Sequence, residues 1–264
     1  MSNNQIKPQI DVTMCENEKW DTSPSSHSVG MGTYHFPKRI PKLISIEGNI
    51  GAGKSTLFQN IQNYIMEYQL NDDKHIVFLR EPVDIWEGIK DTETNKSVLE
   101  MYYENPSKQA FSFQIMVLAS QIRLVADTVI KNPLCSIIIS ERSIDAGHNV
   151  FTKMLVQDGF ITPVQYQIYQ LLFDNQTHPV HSLGKITGQP NKIIYLDVEP
   201  EICKKRIQKR CREGETNITI EYLNLCKKFY DEWLVHGVGL SVFTKDIIII
   251  TDNNDIENII NHFM

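Results

Sequence analysis

Residues 48–55 restrict the fold of this chain more than any other segment does. They read GNIGAGKS and match the pattern G-x-x-x-x-G-K-[ST], in which a glycine-rich loop leads into a helix. An apolar run, LISIE at 43–47, precedes the loop, and a stretch that suits a helix begins at Lys54. Glycines let the backbone curl so that successive N–H groups point at phosphate oxygens, and the helix N-terminus adds the positive end of its dipole. The segment therefore predicts a strand, a phosphate-binding loop and a helix, in that order.

The loop also predicts the ligand, which is a nucleoside triphosphate. We expect Lys54 to reach the β- and γ-phosphates and the Ser55 hydroxyl to hold Mg²⁺. The alternative is a tight structural turn, which the strand and the helix around the motif do not favour. The residues that we assign to ATP binding through this loop are Gly48, Asn49, Ile50, Gly51, Ala52, Gly53, Lys54, Ser55 and Thr56.

Beyond the loop, short β-rich runs alternate with longer helical stretches. We predict strands at 43–47, 75–80, 136–140, 192–197 and 246–251. We predict helices at 54–68, 109–130, 163–173, 200–212 and 220–235. Near-continuous apolar strands separated by helices specify a parallel sheet that is covered on both faces. The predicted fold is therefore α/β, with a five-stranded parallel sheet between two helical layers, in one domain at 41–264.

The first forty residues are polar, are interrupted by proline and glycine, and show neither a strand nor a helix period. We expect them to form a disordered tail. They lack the apolar segment of a secretory signal, and their acidic residues and late first arginine, Arg39, do not suit a mitochondrial transit peptide. We therefore expect a cytoplasmic protein, with the nucleus as the alternative and the mitochondrion disfavoured.

The composition excludes several classes of partner. The formal net charge is −6, so the chain as a whole has no electrostatic reason to bind nucleic acid. No apolar run approaches the roughly 18–20 residues of a membrane span. The five cysteines include no C-x-x-C pair, which favours reduced thiols, and His178 and His181 lack further zinc ligands nearby.

Binding of a triphosphate leaves open whether the protein is a switch, a motor or a transferase. A GTPase switch would carry N-K-x-D, and the nearest match, NKII at 191–194, lacks the aspartate. A motor ATPase commonly ends a strand in an acidic pair, which none of the predicted strands does. Phosphate transfer to a small acceptor remains, and its ligands should bind at the carboxyl ends of the parallel strands.

Two predicted strands end in charged residues, Glu81 after the second strand and Glu141-Arg142 after the third. A carboxylate at Glu81 can take the proton of an acceptor hydroxyl as phosphoryl transfer proceeds. Glu141 can hold Mg²⁺, and Arg142 can clamp the developing phosphate charge. A surface or capping ion pair is the alternative for either glutamate alone. Two acidic strand ends beside a phosphate loop favour catalysis.

These strand ends also carry a family resemblance. Glu81-Pro82-Val83 with Trp86 resembles the E-P-V-x-x-W motif of the deoxyribonucleoside kinase family, and residues 141–143 match its E-R-S motif. The resemblance runs from about residue 42 onward and is to the thymidine- and deoxycytidine-accepting, multi-substrate type. It implies a three-layer P-loop kinase fold with an arginine-rich lid, and transfer of the γ-phosphate of ATP, with Mg²⁺, to the 5′-hydroxyl of a deoxynucleoside. It also implies a homodimer, for which the helix at 109–130 is a plausible face, although its apolar residues could equally be internal core.

The resemblance further implies a role for individual residues. Glu81 is the general base, and Arg142 and Lys54 act with it in catalysis. Trp86 lines the nucleoside pocket, Phe113 stacks on the base, and Gln114 reads its Watson–Crick edge. Tyr103 and Glu215 meet the sugar 3′-hydroxyl, and Ser55 and Glu141 hold Mg²⁺. The lid arginines that close over ATP are Arg206, Arg210 and Arg212, for which a basic helix end is the plainer alternative.

The base preference follows from four positions. Gln121 and Gly147 stand where relatives that prefer deoxycytidine or purines tend to carry an arginine and an aspartate, and Val117 and Tyr102 complete the wall. Uncharged residues there leave room for a 5-methyl group. We therefore predict thymidine, and also deoxycytidine, as substrates.

Several features depart from the family pattern or fit another class. The linker at 175–191 is longer than in cellular members, and His148 after the E-R-S motif is interpreted as structural. Arg80-Glu81-Pro82 also resembles the R-E-P of thymidylate kinases, although the glycines that follow it there are absent. An inactive, kinase-like structural subunit is the alternative of another class, and it predicts the loss of Lys54, Glu81 or the lid arginines, all of which are present.

Overall fold

A computed structural model of the protein describes residues 40–68, 75–177, 189–211, 215–241, 244, 246–251 and 256–263. The predicted tail at 1–39, the lid residue Arg212 and the part of the linker at 178–188 lie outside the described residues.

Five strands form one parallel sheet in the order β2-β3-β1-β4-β5. They are β1 (Lys42–Gly48), β2 (His75–Leu79), β3 (Cys135–Glu141), β4 (Lys192–Leu196) and β5 (Asp246–Ile250). All five predicted strands are present, each within one residue of its predicted ends. Because β2 and β3 lie on one side of β1 and β4 and β5 on the other, the topological switch point of the sheet adjoins β1. Ligands of open parallel sheets bind at such a point.

The helices surround this sheet. They are α1 (Lys54–Glu67), α2 (Val83–Gly88), α3 (Val98–Glu104), α4 (Pro106–Lys131), α5 (Ile144–Ala146), α6 (Lys153–Gln157), α7 (Pro163–Thr177), α8 (Pro200–Arg210), α9 (Ile220–Tyr230) and α10 (Ile256–Phe263). Two π-helical segments, Gly147–Thr152 and Asp231–Val235, join α5 to α6 and extend α9, and a 3₁₀ turn, Glu215–Asn217, precedes α9. The predicted helix at 200–212 was too long, because Cys211 adopts a left-handed conformation, φ 51°, that ends α8.

The two faces of the sheet have separate cores. On one face, Ile44 and Ile46 of β1 pack with Leu57 and Phe58 of α1, in a cluster that also includes residues of α8 and α10. On the other face, Leu43 packs with residues of α4. Neighbouring strand residues point to opposite faces, so burial on both sides explains why the strands read as unbroken apolar runs. The predicted three-layer α/β fold is confirmed.

Local capping signals set the junction between α3 and α4. Ser97 and Glu100 form a reciprocal capping box at the start of α3. Asn105 caps α4 by accepting a hydrogen bond from the Lys108 N–H, and Pro106 occupies the first helical turn. The chain therefore turns sharply between the two helices, and both present residues to the same cavity.

Helix α4 is the one helix in the described part of the chain that is long and apolar enough to cross a membrane. Half of the most apolar 18-residue stretch of α4 is nevertheless buried inside the protein. Val125 and Val129 pack against the sheet, and Phe113 and Val117 belong to a second apolar cluster. This burial is typical of a core helix, so part of the predicted dimer face is internal.

Candidate active site

A cavity of about 780 Å³ opens at the carboxyl edge of the sheet, between the loop after β1, the ends of β2 and β3, and α2, α3, α4 and α8. Most of the predicted site residues line it. They are Ile50, Gly51, Gly53, Lys54, Ser55, Thr56, Glu81, Trp86, Tyr102, Tyr103, Phe113, Gln114, Val117, Glu141, Arg142, Gly147, Arg206, Arg210 and Glu215. Residues separated by more than 160 positions in the sequence thus share one space.

The glycine loop lies against α8. Gly51 has φ 78°, and a Cβ atom added to it would lie 2.6 Å from the backbone oxygen of Cys203. Only glycine permits both this conformation and this approach. Gly53, with φ 104°, is the N-cap of α1, so the N-terminus of α1 adjoins the cavity.

Three predicted loop residues, Gly48, Asn49 and Ala52, are not among the residues that line the cavity. The Asn49 side chain donates a hydrogen bond to the Leu223 carbonyl at 2.8 Å and accepts one from the Ile50 N–H at 2.8 Å. Asn49 therefore ties the loop to α9, a structural role that the motif alone does not reveal.

Lys54 and Ser55 begin α1 beside the cavity. The Lys54 ammonium donates to the carbonyls of Gly48 at 3.2 Å and of Asn49 at 2.9 Å. Burial lowers the pKa of Lys54 to about 8, with a smaller contribution from the nearby Arg142 charge. The Ser55 hydroxyl donates to Glu141 Oε1 at 2.5 Å, so the two predicted metal ligands lie together.

Glu81 and Arg142 form an ion pair across the ends of β2 and β3, with Arg142 Nε 2.8 Å from Glu81 Oε1. Arg142 has φ 68°, a left-handed conformation that is uncommon for a residue with a side chain and that is found at functional sites. Its guanidinium lies 4.7 Å from the ring centre of Phe151. The site therefore joins a carboxylate to a fixed, buried cation.

Aromatic side chains form a slot in the same cavity. The Phe113 ring stacks on Tyr102, with ring centres 4.3 Å apart, and meets the edge of Trp86 at 5.8 Å. The Trp86 indole donates to the Ser120 hydroxyl at 3.0 Å, which fixes the ring against α4. At the end of the slot, the buried Gln114 amide oxygen accepts a hydrogen bond from Thr152 at 3.4 Å. A planar heterocycle with polar edges suits this arrangement.

Gln121 does not line the cavity but lies behind Gly147, which does. A Cβ atom on Gly147 would lie 4.0 Å from Gln121 Oε1. This oxygen is buried and has no hydrogen-bond partner among the residues that the structure describes. The two predicted base-selecting positions are thus neighbours.

The end of α8 and the 3₁₀ turn meet through an ion pair. Arg210 Nη2 lies 2.6 Å from both carboxylate oxygens of the buried Glu215. Burial raises the pKa of Tyr103 well above its usual value, and the Glu215 charge raises it further. Arg206 donates to the Ala52 carbonyl of the loop at 2.6 Å. Of the predicted lid arginines that the structure describes, one contacts the loop and one holds the predicted sugar ligand.

The structure adds residues that the motifs did not indicate. Arg80, Val83, Asp84, Leu99, Phe151 and Tyr222 also line the cavity. Arg80 could have been suggested by its position next to Glu81. Tyr222 and Phe151 depend on how α9 and the first π-helical segment pack, which no spacing in the sequence reveals.

Glu47 is a buried carboxylate at the end of β1. It accepts a hydrogen bond from the Ser143 hydroxyl at 2.6 Å. Burial raises its pKa to about 7, although Arg142 and Ser143 favour the charged form. His148, by contrast, packs its ring on Phe173 at 4.2 Å, outside the residues that line the cavity, and burial lowers its pKa to about 4. Its contacts agree with the structural interpretation.

The donor set suits a hard cation. Among the described residues, no group of three or more His, Cys, Asp or Glu side chains could hold a metal ion. Mg²⁺ bound with a nucleotide needs few protein ligands, because phosphate oxygens and waters fill the remaining positions. The adjacent oxygens of Ser55 and Glu141 therefore fit such an ion.

Comparisons with known proteins agree with this geometry. A family model described as deoxynucleoside kinase matches residues 44–264. Human deoxycytidine kinase is 32% identical over 209 residues, which are 74% of this chain and 76% of the human one. Deoxycytidine kinase 2 of Gallus gallus is 28% identical over 241 residues, 84% and 86% of the two chains. Human mitochondrial thymidine kinase 2 is 26% identical over 226 residues, 86% and 76% of the two chains.

Proposed function

Because the chain belongs to the deoxynucleoside kinase family, and is therefore a phosphotransferase, we propose that it transfers the γ-phosphate of ATP to the 5′-hydroxyl of thymidine and of deoxycytidine. The observation that carries this proposal is the ion pair of Glu81 and Arg142, 2.8 Å apart in the cavity that Lys54 and Ser55 also line. It joins a carboxylate to a buried cation at the edge where the phosphate loop lies.

In the proposed mechanism Glu81 accepts the proton of the 5′-hydroxyl while the oxygen attacks the γ-phosphorus. Arg142 stabilises the negative charge that spreads over the transferred group. Lys54 and the N–H groups of the loop hold the phosphates of ATP. Ser55 and Glu141 would hold Mg²⁺, which would neutralise phosphate charge when bound.

The lid completes this mechanism. Arg206 and Arg210, with Arg212, close over the phosphates and exclude water, so that ATP is not hydrolysed. Tyr103 and Glu215 bind the 3′-hydroxyl of the sugar. The ion pair of Arg210 with the buried Glu215 supports this assignment, because both residues line the cavity.

The base would lie in the aromatic slot, stacked on Phe113, with its Watson–Crick edge at Gln114. Trp86, Tyr102 and Val117 would form the walls, and the uncharged pair of Gln121 and Gly147 would tolerate a 5-methyl group. The names of the relatives, deoxycytidine kinases and a thymidine kinase, support a pyrimidine range.

Steady-state kinetics with thymidine, deoxycytidine, deoxyadenosine, deoxyguanosine and thymidine monophosphate test the proposal. We expect kcat/KM for the two pyrimidine nucleosides to exceed that for the purines by roughly tenfold or more. In the double variant Gln121→Arg/Gly147→Asp, kcat/KM should fall more for thymidine than for deoxycytidine. A strict purine preference would overturn the substrate assignment, and phosphorylation of the monophosphate alone would identify a thymidylate kinase instead.

Two further properties belong to the proposal. We propose a homodimer. It is supported by an apolar stripe on α7, which consists of the exposed residues Val164, Ile168, Leu171 and Leu172. We also propose a cytoplasmic or nuclear location. The four cysteines that the structure describes, Cys135, Cys203, Cys211 and Cys226, are free thiols, as in a reducing compartment. Cell fractionation with an antibody tests the location, and mitochondrial recovery would contradict it.

A further inference from the structure

Tyr230, the last residue of α9, contacts the catalytic arginine from inside the protein. Its side chain is completely buried, and its hydroxyl accepts a hydrogen bond from Arg142 Nη1. The two residues are 88 positions apart in the sequence. Tyr230 does not line the cavity, so it does not touch a bound substrate.

The contacts of the Tyr230 ring do not explain why this residue carries a hydroxyl group. The Tyr230 ring stacks on Tyr195, with centres 5.5 Å apart, meets the edge of Phe151 at 6.4 Å, and lies 6.2 Å from Trp233. A phenylalanine would make all of these contacts. A buried hydroxyl without a partner is destabilising, so the residue is better explained by the hydrogen bond that it forms with Arg142 than by its ring.

The guanidinium of Arg142 is fixed from several sides. Its Nε binds Glu81, and its Nη1 faces both the Tyr230 hydroxyl and the Gly48 carbonyl, the latter at 3.5 Å. One face of the group lies on the Phe151 ring. Tyr230 is a neutral partner in this set, because burial keeps the pKa of Tyr230 well above its usual value. Without the hydroxyl, Nη1 would retain only the long contact to Gly48.

We propose that Tyr230 is a positioning residue for phosphoryl transfer: its hydroxyl holds the Arg142 guanidinium in the orientation in which Nε pairs with Glu81 and the group faces the transferred phosphate. This inference rests on the proposed function of Arg142 and Glu81. It concerns the transition state, in which Arg142 meets developing charge, more than the binding of the nucleoside.

The Tyr230→Phe variant tests the inference, with Tyr195→Phe as a matched control. Tyr195 is also buried, and its ring stacks on the Tyr230 ring. Its hydroxyl, however, donates a hydrogen bond to Asp231 at 3.0 Å and not to Arg142. We expect Tyr230→Phe to lower kcat by about tenfold or more, since the lost hydrogen bond involves a charged group, and to change the nucleoside KM by less than about twofold. Tyr195→Phe should leave kcat unchanged. Equal kcat for Tyr230→Phe and the wild type would overturn the inference.

A double-mutant cycle separates positioning from general support of the fold. If Tyr230 acts through Arg142, Tyr230→Phe should cause no further loss of kcat in an Arg142→Ala background, with activity followed by product formation over hours. The same fold loss in both backgrounds would show a merely structural role and would overturn the inference. If Arg142→Ala alone leaves kcat unchanged, the proposed function of Arg142 fails. If only Tyr230→Phe leaves it unchanged, the positioning role fails.

Discussion

Two glutamates at the carboxyl edge of the sheet have opposite surroundings, and each surrounding suits a different role. Glu81 faces the cavity and pairs with Arg142 at 2.8 Å. Glu47 is completely buried and accepts a hydrogen bond from the Ser143 hydroxyl at 2.6 Å. A carboxylate that faces the cavity and pairs with a cation can exchange a proton with substrate. A carboxylate in the core, in contrast, destabilises the folded state when it is ionised.

Glu81→Gln should abolish most of the activity while leaving ATP binding intact. An amide cannot accept the hydroxyl proton, so kcat should fall by roughly 10²–10⁴. ATP affinity, measured by calorimetry, should remain within a few-fold. Glu87→Gln, which neutralises an exposed carboxylate of α2, is the control. A variant of Glu81 that keeps more than a tenth of the wild-type kcat would refute a general base at this position.

Glu47 should make the stability of the protein depend on pH. Its pKa is raised to about 7 in the folded protein by burial, above the ordinary value of 4.5. The folded state therefore holds a proton that the unfolded state releases between about pH 4.5 and 7. The stabilisation that this proton gives is complete below that window and is lost as the pH rises through the folded pKa.

Urea unfolding of Glu47→Gln at pH 5 and pH 8 measures this effect. The glutamine cannot ionise, so the free energy of unfolding of the variant relative to wild type should rise by about 2–3 kcal/mol between the two values. The difference between the two proteins isolates Glu47 from other titrating groups. Parallel pH dependence in both proteins would show that this carboxylate does not titrate on folding.

At the level of elements, an ion pair links the end of α8 to the 3₁₀ turn. Arg210 lies at the last position of α8, among the residues expected to hold ATP, and Glu215 opens the turn that is expected to hold the sugar. Their ion pair, 2.6 Å between Arg210 Nη2 and Glu215 Oε2, joins the two functions. A substitution of Arg210 should therefore change the KM of the nucleoside as well as that of ATP.

Arg210→Gln should raise the KM of the nucleoside by about three- to tenfold, in addition to the KM of ATP. The buried Glu215 carboxylate loses the positive charge of Arg210, and the partial exposure of Arg210 moderates the effect. Lys209→Gln removes an exposed charge from the adjacent position and should leave the nucleoside KM unchanged. An unchanged nucleoside KM in Arg210→Gln would show that Arg210 contributes to the binding of ATP and not to that of the nucleoside.

The strands and the loop were predictable from the sequence because their signals are local and strong. Each strand is a short apolar run, and the glycine loop is fixed by its own motif. The six-residue α2 and the segment from α5 to α6 were missed, since short helices and the π-helical Gly147–Thr152 carry little 3.6-residue period. Helix α10, with Ile259 and Ile260 buried, carries such a period and could have been found.

For the whole molecule, the order of the strands explains why the site comes together. The sequence indicates which strands end in charge but not which strands are neighbours. In the observed order, β3 lies between β2 and β1. Arg142 after β3 can therefore reach Glu81 after β2 and the Gly48 carbonyl at the end of β1. The family and the enzyme class predicted from the motifs are confirmed, and the site roles stay predictions.

We expect the assembly to form through α7, which packs beside α4, the helix predicted from the sequence. Apolar side chains at helical spacing are exposed along α7, with Val164 66%, Ile168 45%, Leu171 62% and Leu172 40% exposed. The apolar residues of α4 are in part buried inside the protein and in part half-buried beside α7. A contiguous apolar stripe of this kind favours contact with another protein surface, and in a homodimer the same stripe meets its own copy.

Light scattering coupled to size exclusion tests this assembly. The wild type should elute as a dimer at micromolar concentration, and Leu171→Glu should elute as a monomer, because the stripe cannot bury a charge. Ile202→Glu, at an apolar residue of α8 that is 44% exposed, should remain dimeric. The exposed apolar residues of α7 are not among those that line the cavity, so the monomeric variant should keep kcat within a few-fold. A dimeric Leu171→Glu would exclude α7 as the interface, and a monomeric wild type would exclude the dimer.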